Sequence, residues 1–177
     1  MQNYQGILKD RYKVVPRVLI FVFKGNDVLL QKGALGKRLW ANLYNGVGGH
    51  IERGEDLLAG AYREFNEETG LQKIHLQLCG SVIIDADQYE GVMLFIFGGK
   101  YQSGEIKSSS EGKIEWVDEK RIKDLPTMPD LSILLEQTKL ALKSNWVFHG
   151  QSWYDKNGIL RIAISNLEDS LKKEKQS

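Results

Sequence analysis

Apolar, β-rich stretches and one run of helically spaced apolar residues mark the elements of this chain. From Val14 to Phe23 the chain is β-rich and mostly apolar, which predicts a central strand. Pro16 lies near its start, where a missing N–H is tolerated. Gly25-Asn26 turns the chain into a second strand, Asp27 to Gln31. Gly33 to Asn45 reads as a loop that ends in Gly46-Val47-Gly48-Gly49. From about Asp56 to Glu68 the period becomes helical: Leu57, Leu58, Ala61 and Phe65 recur on one expected buried face. Gly70 stands where a left-handed residue would stop that helix.

Further strands are expected near Leu76 to Ile84, Val92 to Tyr101 and Lys113 to Val117, with Ser108-Ser109-Ser110 in a loop. Asp118 to Lys123 predicts a short helix and Asp130 to Lys143 a longer one. Trp146 to Trp153 and Ile159 to Ile164 flank Asp155-Lys156-Asn157-Gly158, a hairpin signal. Mixed strands with two or three helices predict an α/β (α+β) fold, an α/β/α sandwich with a mixed β-sheet plus a C-terminal β-hairpin. One domain is expected over residues 1–177, with its core at about 14–143, the hairpin at about 146–164 and a frayed, solvated tail at 167–177.

Charge and composition narrow the functional classes. The formal net charge is +1 over 177 residues, too small a field for duplex nucleic acid as the main partner. Cys79 is the single cysteine, so no intrachain disulfide is possible and a reducing, cytoplasmic setting fits. No apolar stretch is long enough to span a bilayer, and no signal-peptide pattern opens the chain. The sequence leaves the oligomeric state open. His50, His75 and His149 are scattered and form no zinc pattern. Gly33-Ala34-Leu35-Gly36-Lys37-Arg38 echoes a phosphate loop, but its glycines are too close and no Ser or Thr follows the lysine.

The chemistry concentrates after the glycine run. Glu64, Glu67 and Glu68 stand at i, i+3 and i+4, neighbours on a helix with Cβ atoms roughly 5–6 Å apart. They are expected to point to the open side, away from the apolar face. Three carboxylates so placed repel one another, and a hard divalent cation, Mg²⁺ or Mn²⁺, would relieve them. A merely solvated acidic face is the alternative.

The spacing of unlike residues around these glutamates favours the site. From Gly49, five residues lead to Glu55 and seven more to Arg63-Glu64, then Phe65, Asn66, Glu67-Glu68, Thr69, Gly70 and Leu71. This resembles the Nudix box, G-x5-E-x7-R-E-U-x-E-E-x-G-U, with every specified position filled; Phe65 replaces the commoner aliphatic residue. The chain is thereby similar to the Nudix hydrolases of the MutT-like kind, which implies the same sandwich and hydrolysis of a phosphoanhydride in a nucleoside diphosphate derivative. The resemblance implies that Glu64, Glu67, Glu68 and the Gly49 carbonyl hold Mg²⁺ (or Mn²⁺). It implies that Arg63 orients a carboxylate; Glu55, near the helix start, reads as structural. Glu111 is the candidate for a further metal ligand or water activator, with a solvated loop residue as the alternative and Glu115 as its rival.

Substrate expectations rest on looser resemblances. Tyr44-Asn45-Gly46-Val47-Gly48-Gly49 is similar to the W-N-G-x-G-G run of enzymes that remove oxidised purine triphosphates, so Asn45 would meet the base, or simply shape a turn. Pro129-Asp130 resembles a W-P-D-D segment of that group, with Met128 and Leu131 departing from it; Asp130 would read a purine edge, or cap the following helix. Arg17, Lys32 and Lys37 could steer a triphosphate. The expected reaction takes a (d)NTP such as 8-oxo-dGTP to monophosphate and pyrophosphate. Tyr89 keeps dinucleoside polyphosphates as a second substrate class, whereas the markers of ADP-ribose, coenzyme A and NADH hydrolases are missing. An isopentenyl diphosphate isomerase would need a cysteine ahead of the box, and Cys79 follows it. A non-catalytic nucleotide sensor usually loses box glutamates, and none is lost here.

Overall fold

The computed structural model describes residues 10–36, 40–108 and 112–165. Lys37, Glu111 and the tail fall outside them. Eight strands form one mixed sheet in the order β3-β2-β1-β5-β4-β7-β8, with β6 paired to β2. The strands are β1 (Lys13–Lys24), β2 (Asp27–Gly33), β3 (Tyr44–Asn45), β4 (His75–Asp85), β5 (Glu90–Lys100), β6 (Gly112–Asp118), β7 (Phe148–Tyr154) and β8 (Leu160–Ser165). Helix α1 (Leu57–Thr69) covers one face and α2 (Leu131–Ser144) the other. A 3₁₀ turn over Glu119–Asp124 follows β6.

Alternation along β1 feeds both layers, because successive side chains leave opposite faces. Val18, Ile20 and Val22 pack with Ala61 and Phe65 of α1. Leu19 and Phe21 pack with Leu131, Leu134 and Leu135 of α2. Such a strand reads as a continuous apolar run because neither face meets water.

β1 and β2 stay paired only at the turn, Phe23 with Val28 and Lys24 with Asp27. The glycine run fills the gap that opens beyond. Val18 N–H donates to the Gly49 carbonyl (2.9 Å), and Ile20 N–H to that of Val47 (2.7 Å). Pro16, which has no N–H, accepts from Ile51 N–H. Expected as the end of a loop, Tyr44-Asn45 pairs with β2 instead, opposite Lys32 and Gln31.

Asp56 caps α1, accepting from the N–H groups of Leu58 and Ala59, and Gly70 ends it at φ 72°. The expected buried face needs two corrections. Leu58 has the right phase but sits in the first turn and is 45% exposed. Glu68 does not join an open acidic ridge; it is buried, 5% exposed. At about 100° per residue Glu68 lies two turns beyond Ala61, on the same side of the helix.

The hairpin, which the sequence could not place, extends the sheet. β7 runs parallel to β4, from Gly80 opposite Phe148 to Ile84 opposite Ser152, and β8 pairs antiparallel to β7 at the edge. Among the described residues no helix is long and apolar enough to cross a membrane.

Candidate active site

Helix α1 and the glycine run meet at the carboxylates. The Arg63 guanidinium lies in the middle of the polar side. Its Nη2 donates to Glu55 Oε1 (2.6 Å) and the His50 carbonyl, its Nε to Glu55 Oε2, and its Nη1 to Glu64 (2.9 Å) and Glu67 (3.3 Å). Glu55 also accepts from Glu52 N–H, and these bonds, Arg63's foremost, hold its carboxyl down to about 2. Its placement is structural, as expected, but helix capping falls to Asp56 and Glu55 serves as the clamp on Arg63.

Glu68 is held from two sides. Gln31 Nε2 donates to Oε1 (3.0 Å) and Gly48 N–H to Oε2 (3.0 Å). The three glutamates therefore differ: Glu67 is exposed, Glu64 partly covered and Glu68 buried. Arg63 offsets their repulsion in part, a compensation that the spacing alone did not reveal. Gly49 is required at close quarters, since a Cβ there would run into the Glu64 carboxyl.

Among the described residues no group of three His, Cys, Asp or Glu converges tightly enough to hold a metal ion. The donor chemistry nonetheless fits a hard dication. Carboxylates of Glu64, Glu67 and Glu68 and the Gly49 carbonyl, which keeps a second lone pair beside its bond to Val18, are all oxygen donors.

A cavity of about 590 Å³ on the α2 side of the sheet reaches Gly48, whose N–H binds Glu68. Arg17, Asn45, Gly48 and Asp130 line it together with Trp40, Met128 and the end of the β7–β8 hairpin. Arg17 stands between the two regions. Burial lowers its pKa, while the charges of Glu64 and Glu68 oppose that shift. Asn45 closes strand β3 and shapes no turn there; its Oδ1 accepts from Gly46 N–H, and its side chain borders the cavity. Asp130 occupies the position before α2 but makes no side-chain capping bond. It is 6% exposed, and burial raises its pKa.

Two other candidates lie elsewhere. Lys32 is stacked 5.5 Å over the Tyr44 ring and does not line the cavity. Glu115 accepts from Tyr44 Oη and Lys113 Nζ. Alternation on β6 puts Ile114 and Trp116 toward α1, and hence Glu115 toward the opposite face. Burial and then Glu115 push Tyr44 up to about 12. Sequence reasoning missed Trp40, and it found the hairpin without its part in the cavity. The one signal for Trp40 is backbone, a φ of 49° in a non-glycine residue.

The Nudix domain family model matches residues 13–137, and the chain belongs to that family. The acidic helix behind the glycine run is where that family's box falls, and the chain is, as a member, a hydrolase acting on phosphoanhydride bonds. It is 32% identical over 145 residues to an uncharacterised Nudix hydrolase, YvcI, of Bacillus subtilis, covering 78% of this chain and 86% of that one. A mouse oxidised purine nucleoside triphosphate hydrolase is 29% identical, covering 70% of this chain and 81% of that one. The NAD-capped RNA hydrolase NudC of Vibrio vulnificus is 27% identical over 75% of this chain, which spans 50% of that protein. Among solved structures, a MutT protein of Bacillus halodurans superposes with a TM-score of 0.67 at 25% identity, covering 86% of this chain and 98% of that one. Nudix hydrolases generally use a divalent metal.

Proposed function

We propose that this hydrolase converts a purine nucleoside triphosphate, oxidised forms such as 8-oxo-dGTP included, to the monophosphate and pyrophosphate. The observation that carries the proposal is Asp130: a buried, uncapped carboxyl in a cavity that Asn45 shares and Arg17 joins to the box glutamates. A carboxyl and an amide supply the donors and acceptors that a purine edge requires. The activity named for the mouse relative supports the same substrate class.

In this reading Glu64, Glu67, Glu68 and the Gly49 carbonyl hold Mg²⁺ (Mn²⁺ also fits), which when bound screens phosphate charge and acidifies water. Arg63 sets the Glu64 carboxylate, and Gln31 with Gly48 N–H sets Glu68. Arg17 meets the phosphates. Water oxygen forms the new P–O bond, the bridging P–O bond breaks, and pyrophosphate leaves. A carboxylate takes the water proton; Glu111, outside the described residues, remains our candidate for it.

Dinucleoside polyphosphates are less favoured, because Tyr89 is 62% exposed in the β4–β5 turn and does not line the cavity. A panel of nucleotides with Mg²⁺, ranked by kcat/KM and with products identified, tests the proposal. The expected result is preference for purine triphosphates, release of pyrophosphate, and loss of turnover in EDTA. Preference for dinucleotides, or orthophosphate as product, overturns it.

A further inference from the structure

The family match ends at residue 137, before the β7–β8 hairpin begins. The cavity does not end there. Tyr154, Gly158, Ile159 and Leu160 line it from beyond the matched segment.

The hairpin reaches the cavity by overshooting its neighbour. Pairing with β4 stops at Ser152, opposite Ile84, whereas β7 and β8 stay paired out to Tyr154 opposite Leu160. The projecting tip is tied down. Asp155 Oδ1 accepts from the N–H groups of Asn157 and Ile159, and its Oδ2 accepts from Arg161. Gly158 takes a φ of 73° to close the turn. Lower down, Gln151 Nε2 donates to Asp85 Oδ2, whose other oxygen accepts from Tyr12 Oη. A tip so bonded is preorganised, which reduces the ordering cost of binding.

The tip keeps apolar surface open to solvent at the cavity: Tyr154 is 58% and Ile159 48% exposed. Scattered exposed apolar residues need no explanation, but these two converge on one cavity. Position selects what they meet. β5 and β4 separate β1 from β7, so the hairpin stands roughly 14 Å across the sheet from Arg17 at ordinary strand spacing. Phosphates belong at the carboxylate side and the base in the rest of the cavity, of which the hairpin is one wall. A heterocycle has apolar faces and a polar edge; the cavity offers apolar walls, with Asn45 and Asp130 among its polar groups beside Arg17.

We infer that the hairpin is a specificity element of the active site: Tyr154, with Ile159 and Leu160, forms the wall on which the planar base of the nucleotide packs. This rests on the nucleotide reading above. Tyr154 acts in substrate binding and takes no part in the chemistry.

Steady-state kinetics on dGTP, 8-oxo-dGTP and dCTP with Mg²⁺ test it in the wild type, Tyr154→Ala and Tyr154→Phe, with Ile159→Ser as a second probe of the wall. Loss of base stacking in Tyr154→Ala should raise KM for the purine substrates at least ~5-fold. Its kcat should stay within ~2-fold, and Tyr154→Phe should keep a near-native KM. The purine-to-pyrimidine ratio of kcat/KM should fall in Tyr154→Ala, and Ile159→Ser should shift KM in the same direction. An unchanged KM in Tyr154→Ala, or a fall in kcat alone, overturns the inference while leaving the hydrolase reading intact. A wild type that turns over none of these nucleotides overturns the reading itself, and the inference with it.

Discussion

Gln31 on β2 donates from Nε2 to Glu68 on α1, two side chains 37 residues apart that are both buried. Gln31 Oε1 has no partner, the one such buried side-chain atom among the described residues. The pair therefore holds an unused acceptor beside a carboxylate that can only accept.

That acceptor makes Glu68→Gln a clean variant. A glutamine amide at 68 can donate to Gln31 Oε1 once the Gln31 amide rotates, and its own oxygen can still take the Gly48 N–H. Turnover should fall at least ~10²-fold with little change in melting temperature. The same loss is expected for exposed Glu67→Gln. Near-native turnover in either would remove that residue from the proposed ligand set.

Neighbouring glycines should fail differently. A Cβ at Gly48 would meet the Val18 backbone carbonyl, which cannot move aside, so Gly48→Ala should destabilise the fold by about 1–3 kcal/mol. A Cβ at Gly49 would meet the end of the Glu64 side chain, which can. Gly49→Ala should fold well and lose activity. Urea melts beside turnover measurements separate the two outcomes, and equal destabilisation by both would contradict them.

The Glu55–Arg63 clamp predicts a pH window. Glu55 has its carboxyl lowered from 4.5 to about 2 by Arg63 first and Glu52 N–H next. A depressed acid pKa favours the folded state above the unfolded value, and the gain is lost as pH falls through the folded one. Glu55→Gln should melt below wild type at pH 7, and the gap should close between about pH 4.5 and 2. A gap independent of pH would show that the carboxylate charge is not what matters.

Asp130 has the opposite sign. Burial raises its pKa above the ordinary 3.8, so the charged form costs stability at neutral pH. Asp130→Asn should melt higher than wild type at pH 7, with the advantage shrinking as the pH falls toward 3.8 and Asp130 protonates. If Asp130 reads the base, the same variant loses preference between purines by kcat/KM. Higher stability with unchanged preference would make the residue a bystander.

Much of this protein is written locally. The continuous apolar run of β1 and the helical spacing of Ala61 and Phe65 announce the elements, because backbone geometry ties side-chain direction to residue number. Gly70 and the Asp155-to-Gly158 turn are equally local, each requiring a glycine at positive φ. The box from Gly49 to Leu71 is legible because one helix and one turn carry all of it.

What the chain alone left open depends on contacts between distant segments. That Glu68 faces Gln31, Arg63 compensates the glutamates, and Glu115 points away from α1 follows from how β2, α1 and β6 meet. The cavity is assembled from β1, the segment around Trp40, the start of α2 and the hairpin, which together span more than a hundred residues of chain, Arg17 to Leu160. Sequence spacing reports which side chains share an element; only packing brings elements together, and a pocket is made where they meet.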